Sequence, residues 1–67
     1  MTIQGLQNIL IVDDEAPIRK FLTMSLEQEG YRVKCADSAA NALREMVSFK
    51  PDLVILDLDL PDASGLQ

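Results

Sequence analysis

Two runs of hydrophobic residues, at positions 9–12 and 53–56, each end directly in aspartate. Short continuous runs of this kind, rich in Ile, Leu and Val, are typical of strands buried on both faces of a parallel sheet. Residues 31–36 alternate weakly between apolar and polar side chains, which predicts a third, more exposed strand at a sheet edge. The chain therefore has three predicted strands, in the order 8–13, 31–36 and 53–56.

A stretch with helical periodicity separates the first two predicted strands. Glu15 and Ala16 are followed by Pro17, a residue that suits the first turn of a helix. Gly30 is expected to end this helix in a left-handed cap. The predicted apolar face consists of Ile18, Phe21, Leu22, Ser25 and Leu26.

A second helical stretch separates the last two predicted strands. Asp37 and Ser38 provide an N-cap, and the helix is expected to end near Lys50, before Pro51. Asp52 is interpreted as a turn residue. The predicted apolar face of this helix consists of Ala39, Ala42, Leu43, Met46 and Val47.

The order β-α-β-α-β predicts an α/β fold with a parallel sheet, right-handed crossovers and the strand order 2-1-3. Ligands bind such sheets at the carboxyl ends of the strands, where the connections diverge. Asp13, Asp14 and Asp57 all fall at that point. A hard divalent cation offsets the repulsion between crowded carboxylates, so a Mg²⁺ pocket is the leading hypothesis. Alternatively, Asp13 or Asp14 caps the first helix, a role that only one of them can fill.

Charge and composition restrict the function further. Eleven acidic and six basic residues give a net charge of −5, so we expect no direct nucleic-acid binding by this segment. The absence of histidine excludes histidine-based catalysis and histidine-ligated metals within these 67 residues. No apolar run approaches the ~20 residues of a membrane span, so no membrane association is expected. The single cysteine, Cys35, favours a reducing, cytoplasmic location and is interpreted as a small core residue.

The residues 9–15 (ILIVDDE) and 51–61 (PDLVILDLDLP), with Gly65 beyond them, carry a family resemblance. At this spacing they resemble the receiver domain of response regulators in two-component signalling, a flavodoxin-like fold. Residues 1–67 would form the N-terminal half of such a receiver, with no second domain. Residues 56–62 are similar to the winged-helix transcriptional regulators, including those of potassium-uptake operons.

The resemblance implies a role for each acidic residue. Asp57 would be the phosphoryl acceptor, and a sensor histidine kinase would be the donor in the parent protein. Asp14 and Asp57 would bind Mg²⁺ through their side chains, Asp13 directly or through a water molecule, and Asp59 through its backbone carbonyl. Such a domain is a phosphorylated signalling module, so we do not expect an enzyme.

Receivers also carry a Ser or Thr and a Lys on later elements, and both contact the phosphoryl group. Their absence from these 67 residues leads us to expect a truncated chain that is phosphorylation-incompetent by itself. Truncation would leave the strand at 53–57 as a bare apolar edge, which favours a homo-oligomer. A dimerising interaction fragment without phosphoryl chemistry is therefore one alternative.

An enzymatic alternative comes from Asp57-Leu58-Asp59, which resembles the Asp-x-Asp signature of haloacid-dehalogenase-type phosphatases. That signature normally follows the first strand, and it leaves Asp13 and Asp14 unexplained. Turnover of a small phosphoester would favour the phosphatase, whereas a stable acyl phosphate would favour the receiver.

Overall fold

The computed structural model describes residues 7–57, which form three strands and two helices. The elements are β1 (Asn8–Val12), α1 (Ala16–Gln28), β2 (Arg32–Ala36), α2 (Ala39–Ser48) and β3 (Leu53–Leu56). The predicted order of strands and helices is confirmed. Asp59, Pro61 and Gly65, which the sequence analysis singled out, lie outside the described residues.

The three strands form one parallel sheet in the order β2-β1-β3. Val12 at the end of β1 pairs with Ala36 of β2 and with Leu56 of β3. The carboxyl ends of all three strands therefore lie along one edge of the sheet. Both the predicted fold class and the predicted strand order are confirmed.

The core is built around β1, because the central strand is covered on both faces. Ile9, Leu10, Ile11 and Val12 are all at most 1% exposed. Leu10 and Val12 pack with Ala42 of α2, whereas Ile9 and Ile11 pack against Leu22 and Leu26 of α1. The two helices thus lie on opposite faces of the sheet, as alternating crossovers require.

Local sequence signals explain most of the helix ends. Ser38 caps α2, since its Oγ accepts a hydrogen bond from the backbone N–H of Asn41 at 3.2 Å. Gly30 follows α1 with a φ of 94°, which confirms the predicted left-handed residue. Lys50 also has a positive φ, 54°, and α2 ends at Ser48, slightly before the predicted end.

The predicted apolar faces of the helices are only partly buried. Phe21 on α1 is 66% exposed and Val47 on α2 is 76% exposed. Each helix packs against β1 and β2, and neither helix backbone lies against β3 in the described part of the chain. The apolar face of each helix is therefore wider than the surface against which the helix packs within residues 7–57. Ile18, Leu43 and Met46 are likewise exposed.

The expectation that β3 is covered on both faces is only partly met within residues 7–57. Leu53 is 42% exposed and Leu56 is 50% exposed, whereas Val54 and Ile55 are half-buried because they pack against the core clusters on opposite faces of the sheet. β3 forms an edge of the sheet. Within the described residues its apolar side chains are therefore covered in the middle of the strand and exposed at its two ends.

Cys35 is also placed differently from the prediction. It is exposed rather than part of the core, because β2 is an edge strand. Its sulfur lies 3.2 Å from the hydroxyl oxygen of Thr23 on α1. Across residues 7–57, neither helix has the length and apolar character needed to cross a membrane.

Candidate functional site

Asp13, Asp14 and Asp57 lie together at the carboxyl ends of β1 and β3. Each offers a carboxylate oxygen, and these atoms all lie within 4.8 Å of one another. Asp13 and Asp57 are half-buried and Asp14 is exposed. The structure thus brings together the three side chains that the sequence singled out, while their roles as ligands and acceptor stay predictions.

The backbone fixes this cluster on both sides of β1. The N–H of Asp57 donates to the carbonyl oxygen of Val12 at 2.8 Å. The N–H of Asp13 donates to the carbonyl oxygen of Ala36 in β2 at 3.1 Å. Main-chain hydrogen bonds therefore hold two of the three acidic residues where their strands end.

The side chain of Asp13 stabilises the turn that leads into α1. Its Oδ1 accepts a hydrogen bond from the backbone N–H of Glu15 at 2.9 Å. The N-cap residue of α1 is Glu15, and the helix has no side-chain cap. The alternative that Asp13 or Asp14 caps this helix is therefore wrong. A carboxylate has about four acceptor positions, so the bond to Glu15 leaves Asp13 able to bind a cation.

Arg19 is a contact that the sequence analysis missed. Its Nη1 donates to the backbone carbonyl oxygen of Asp13 at 2.6 Å. This guanidinium holds the backbone next to the acidic cluster and places a positive charge near it. The one sequence signal for this contact is the position of a basic residue in the first turn of the helix that follows Asp13 and Asp14.

The chemistry of the cluster suits a hard cation. Its ligand atoms are all carboxylate oxygens, which Mg²⁺ and Ca²⁺ prefer, whereas zinc sites use mainly nitrogen and sulfur. Carboxylates this close repel one another unless a positive charge intervenes. Three acidic side chains leave positions for water and for a substrate oxygen, which is the usual pattern for Mg²⁺. The residues present therefore fit a bound Mg²⁺ ion.

Asp52 has a structural role beyond that of the turn residue that the sequence suggested. Its Oδ2 accepts hydrogen bonds from the backbone N–H groups of Gln7, at 3.1 Å, and Asn8, at 2.9 Å. The same two bonds lower the pKa of Asp52 below its usual value, because they stabilise the carboxylate. Asp52 therefore joins the starts of β3 and β1, at the end of the sheet opposite the acidic cluster.

Comparison with known families gives one domain match. The model of the response regulator receiver domain matches residues 9–67. This range contains Asp13, Asp14 and Asp57 and all five described elements apart from the first residue of β1.

Several curated proteins are similar to the chain over most of its length. The KDP operon transcriptional regulatory protein KdpE of Escherichia coli is 50% identical over 60 residues, which cover 90% of this chain. The phosphate regulon transcriptional regulatory protein PhoB of Pseudomonas aeruginosa is 46% identical over 61 residues, or 91% of the chain. The CAI-1 autoinducer sensor kinase/phosphatase CqsS of Vibrio cholerae is 41% identical over 61 residues, also 91% of the chain.

These relatives are much longer than the region that they share with the chain. The matched region is 27% of each of the two transcriptional regulators and 9% of the sensor kinase/phosphatase. The similarity therefore concerns one segment that occurs in proteins of different overall design.

Proposed function

Because this chain belongs to the response regulator receiver family, we propose that Asp57 accepts a phosphoryl group and that Asp13, Asp14 and Asp57 hold Mg²⁺ for that transfer. Receiver domains generally bind Mg²⁺ at an acidic pocket and interact with sensor histidine kinases. The observation that carries the proposal is the clustering of three carboxylate oxygens within 4.8 Å at the ends of β1 and β3. Asp59, proposed as a further ligand through its carbonyl, lies outside the described residues.

In the proposed reaction Asp57 is the nucleophile. One of its carboxylate oxygens forms a bond to phosphorus, and the bond between phosphorus and the donor breaks, with the electron pair leaving on the donor. A divalent cation held by Asp13, Asp14 and Asp57 would neutralise charge on the phosphoryl oxygens. The hydrogen bond from the N–H of Asp57 to Val12 holds the acceptor residue at the end of β3.

The proposed donor is a sensor histidine kinase, and a small acyl phosphate is the simplest substitute for it. Because two relatives are named as transcriptional regulators, we propose that the whole protein controls transcription in the cytoplasm. The net charge of −5 disfavours contact between this segment and DNA phosphates. Asp57 would then act as a stoichiometric acceptor rather than as the centre of an enzyme.

We also propose that β3 mediates self-association. Leu53 and Leu56 are half exposed, and β3 is an edge strand with an apolar sequence. An apolar groove of about 260 Å³ lies beside it, partly lined by Met46 and Val54. Pairing of two β3 strands about a two-fold axis would extend the sheet and shield these side chains from water.

Metal binding is tested by titrating Mn²⁺ into the 67-residue chain and following the broadening of backbone amide signals. Broadening is expected first at Asp13, Asp14 and Asp57, and is expected to be lost from that region in Asp14→Ala and Asp57→Ala. Glu27→Ala serves as the matched control, because Glu27 lies near the opposite end of the sheet. Equal broadening in all four proteins would contradict the site.

Phosphoryl transfer is tested by incubation with acetyl phosphate and Mg²⁺, followed by mass spectrometry. We expect an acyl phosphate on Asp57 when this sequence is joined to the later hydroxyl and lysine residues of the family, and only weak labelling of the 67 residues alone. Asp57→Asn is the control and should remain unlabelled. Steady hydrolysis of a small phosphoester, without a stable acyl phosphate, would instead favour the phosphatase alternative.

A further inference from the structure

Within the described residues, β3 is held by its pairing with β1 and by the packing of Val54 and Ile55 against the core. It pairs with β1 from Leu53, opposite Ile9, to Leu56, opposite Val12. Neither helix backbone lies against it. Whatever fixes β3 relative to β1 therefore also fixes the position of Asp57, which directly follows the strand.

Asp52 makes such a connection at the start of the strand. A single oxygen, Oδ2, accepts from the N–H groups of Gln7 and Asn8. The N–H of Asp52 also donates to the carbonyl oxygen of Asn8 at 2.7 Å. Asp52 and Asn8 therefore each donate a backbone N–H to an oxygen of the other residue. The bonds to the carboxylate are stronger than bonds to a neutral acceptor would be.

Asn8 extends this connection to the segment that precedes β3. Its side-chain Nδ2 donates to the backbone carbonyl oxygen of Phe49 at 3.1 Å. Phe49 is the C-cap residue of α2, so the end of α2 and the start of β3 are both tied to the first residue of β1. These bonds fix the point at which β3 begins.

Register has a direct effect on the acidic cluster. Successive side chains of a strand point to opposite faces, so a slip by one residue would move every side chain of β3 to the other face. Asp57 would then leave Asp13 and Asp14. The apolar sequence of residues 53–56 does little to prevent such a slip, because all four side chains are hydrophobic and suit either face.

We propose that Asp52 is a positioning residue for the acidic site, because its carboxylate fixes the register of β3 on β1 and so places Asp57 beside Asp13 and Asp14. The inference rests on the proposed metal site for its functional meaning. Its structural content, the dependence of the position of Asp57 on Asp52, is independent of that site.

Amide hydrogen exchange tests whether the position of Asp57 depends on Asp52, by comparing the hydrogen bonds that join β1 to its two neighbouring strands. The Asp57 amide reports on pairing with β3 and the Asp13 amide reports on pairing with β2. If β3 is docked in a tenth of the Asp52→Ala molecules, the Asp57 amide should exchange about tenfold faster than in the wild type, or faster still. The exchange rate of the Asp13 amide should be unchanged. In Asp52→Asn the exchange rate of the Asp57 amide should lie between those of the alanine variant and the wild type, because an amide oxygen can accept both hydrogen bonds but carries no charge.

The matched control is Glu27→Gln, which makes the same charge change as Asp52→Asn without touching β3. It should leave both amides unchanged. If Asp52→Ala unfolds, both amides lose protection, and Asp52→Asn decides the question. Parallel exchange at Asp57 and Asp13 in Asp52→Asn, or wild-type exchange at Asp57 in a folded Asp52→Ala, would overturn the proposal.

Mn²⁺ affinity, measured on the same proteins without added phosphoryl donor, tests the functional meaning. Apparent affinity falls in proportion to the binding-competent fraction, so Asp52→Ala should bind Mn²⁺ about tenfold more weakly if β3 is docked in a tenth of its molecules, with partial recovery in Asp52→Asn. Wild-type affinity in Asp52→Ala would refute the positioning role. Absence of Mn²⁺ binding by the wild type would instead refute the proposed metal site, and the exchange result would still decide whether Asp52 positions Asp57.

Discussion

Asp57 donates its backbone N–H to the carbonyl oxygen of Val12, and Val12 directly precedes Asp13 in the chain. One hydrogen bond of 2.8 Å thus joins the two strand ends that carry the acidic cluster. The cluster is therefore a product of the β1–β3 pairing, and anything that separates these strands also separates the carboxylates.

The first prediction concerns Mg²⁺ and folding stability. A ligand that binds the folded state alone stabilises it, by about 2.7 kcal/mol at a hundred times its Kd. We expect Mg²⁺ to raise the unfolding temperature of the wild type and to have much less effect on Asp14→Asn. Without metal, Asp14→Asn should be the more stable protein, because it lacks one of three mutually repelling charges.

The informative result is therefore a reversal in stability: Asp14→Asn should be the more stable protein without Mg²⁺, and the wild type should be the more stable protein with it. Glu27→Gln removes the same charge far from the cluster and should respond to Mg²⁺ as the wild type does. Equal stabilisation of the wild type and Asp14→Asn by Mg²⁺ would mean that Asp14 does not contribute to a metal site.

The second prediction concerns the core. Ile11 is fully buried on β1, whereas Ile18 on α1 is 41% exposed. Removing one buried methylene by Ile11→Val should lower the free energy of unfolding by about 0.5–1.5 kcal/mol. Ile18→Val removes the same methylene from a partly exposed side chain, so it should lower the free energy of unfolding by less. Urea denaturation measures both, and equal losses would show that Ile18 is buried in solution, for example in an assembly.

The third prediction concerns acid stability and Asp52. The bonds from the N–H groups of Asn8 and Gln7 lower its pKa in the folded protein below its usual value. Between its folded and unfolded pKa values the unfolded chain binds more protons, so stability falls as the pH falls. The contribution of Asp52 is therefore fully present above the unfolded pKa of an aspartate, about 3.9, and is lost as the pH drops through the lowered pKa.

We expect Asp52→Asn to weaken this acid sensitivity. Urea midpoints measured from about pH 5 to about pH 3 should decline less steeply in the variant than in the wild type. Glu27→Gln, which changes a carboxyl group of α1, serves as the control. Identical slopes in Asp52→Asn and the wild type would show that the bonds to Gln7 and Asn8 do not persist in solution.

The fourth prediction concerns assembly through β3. Sedimentation equilibrium should show a dimer or larger species for the wild type, and Leu53→Lys should shift it towards monomer, because charge on an edge strand disfavours pairing. Met24→Lys places the same charge at an exposed apolar position of α1 and should leave assembly intact. A compact wild-type monomer at micromolar concentration would contradict the proposal.

The order of the elements and the sheet topology could be predicted from the sequence because two kinds of signal agreed. Apolar runs ending in aspartate marked β1 and β3, and Ser38 and Gly30 marked helix ends. The rule that ligands bind where the connections diverge then predicted that Asp13, Asp14 and Asp57 lie together.

Burial was harder to predict, because it depends on what surrounds an element as well as on its own pattern. Phe21 and Val47 lie on predicted apolar faces, yet both are largely exposed, since within residues 7–57 each helix packs mainly on β1 and β2. Cys35 is exposed for a related reason, because β2 lies at an edge. Hydrophobic periodicity indicates which face is apolar, but not how wide a surface is available to cover it.

Two contacts, one beside the acidic cluster and one at the opposite end of the sheet, were absent from the sequence prediction because each is made to backbone groups. Arg19 binds the carbonyl oxygen of Asp13, and Asp52 binds the N–H groups of Gln7 and Asn8. The type of a residue does not indicate what its backbone groups bind. A side chain that binds a backbone group therefore cannot be told from any other polar side chain in the sequence.

The pairing of β1 with strands on both sides has a consequence for the order in which the protein is made. During synthesis Asp13 and Asp14 emerge first, and β1, α1 and β2 form a βαβ unit that can begin to fold before β3 leaves the ribosome. Asp57 arrives later, and a long loop must close before β3 docks beside β1, an entropic cost that slows such non-local pairing. The acidic cluster is thus completed in one of the late steps, so the nascent chain acquires its candidate cation site only when its third strand is in place.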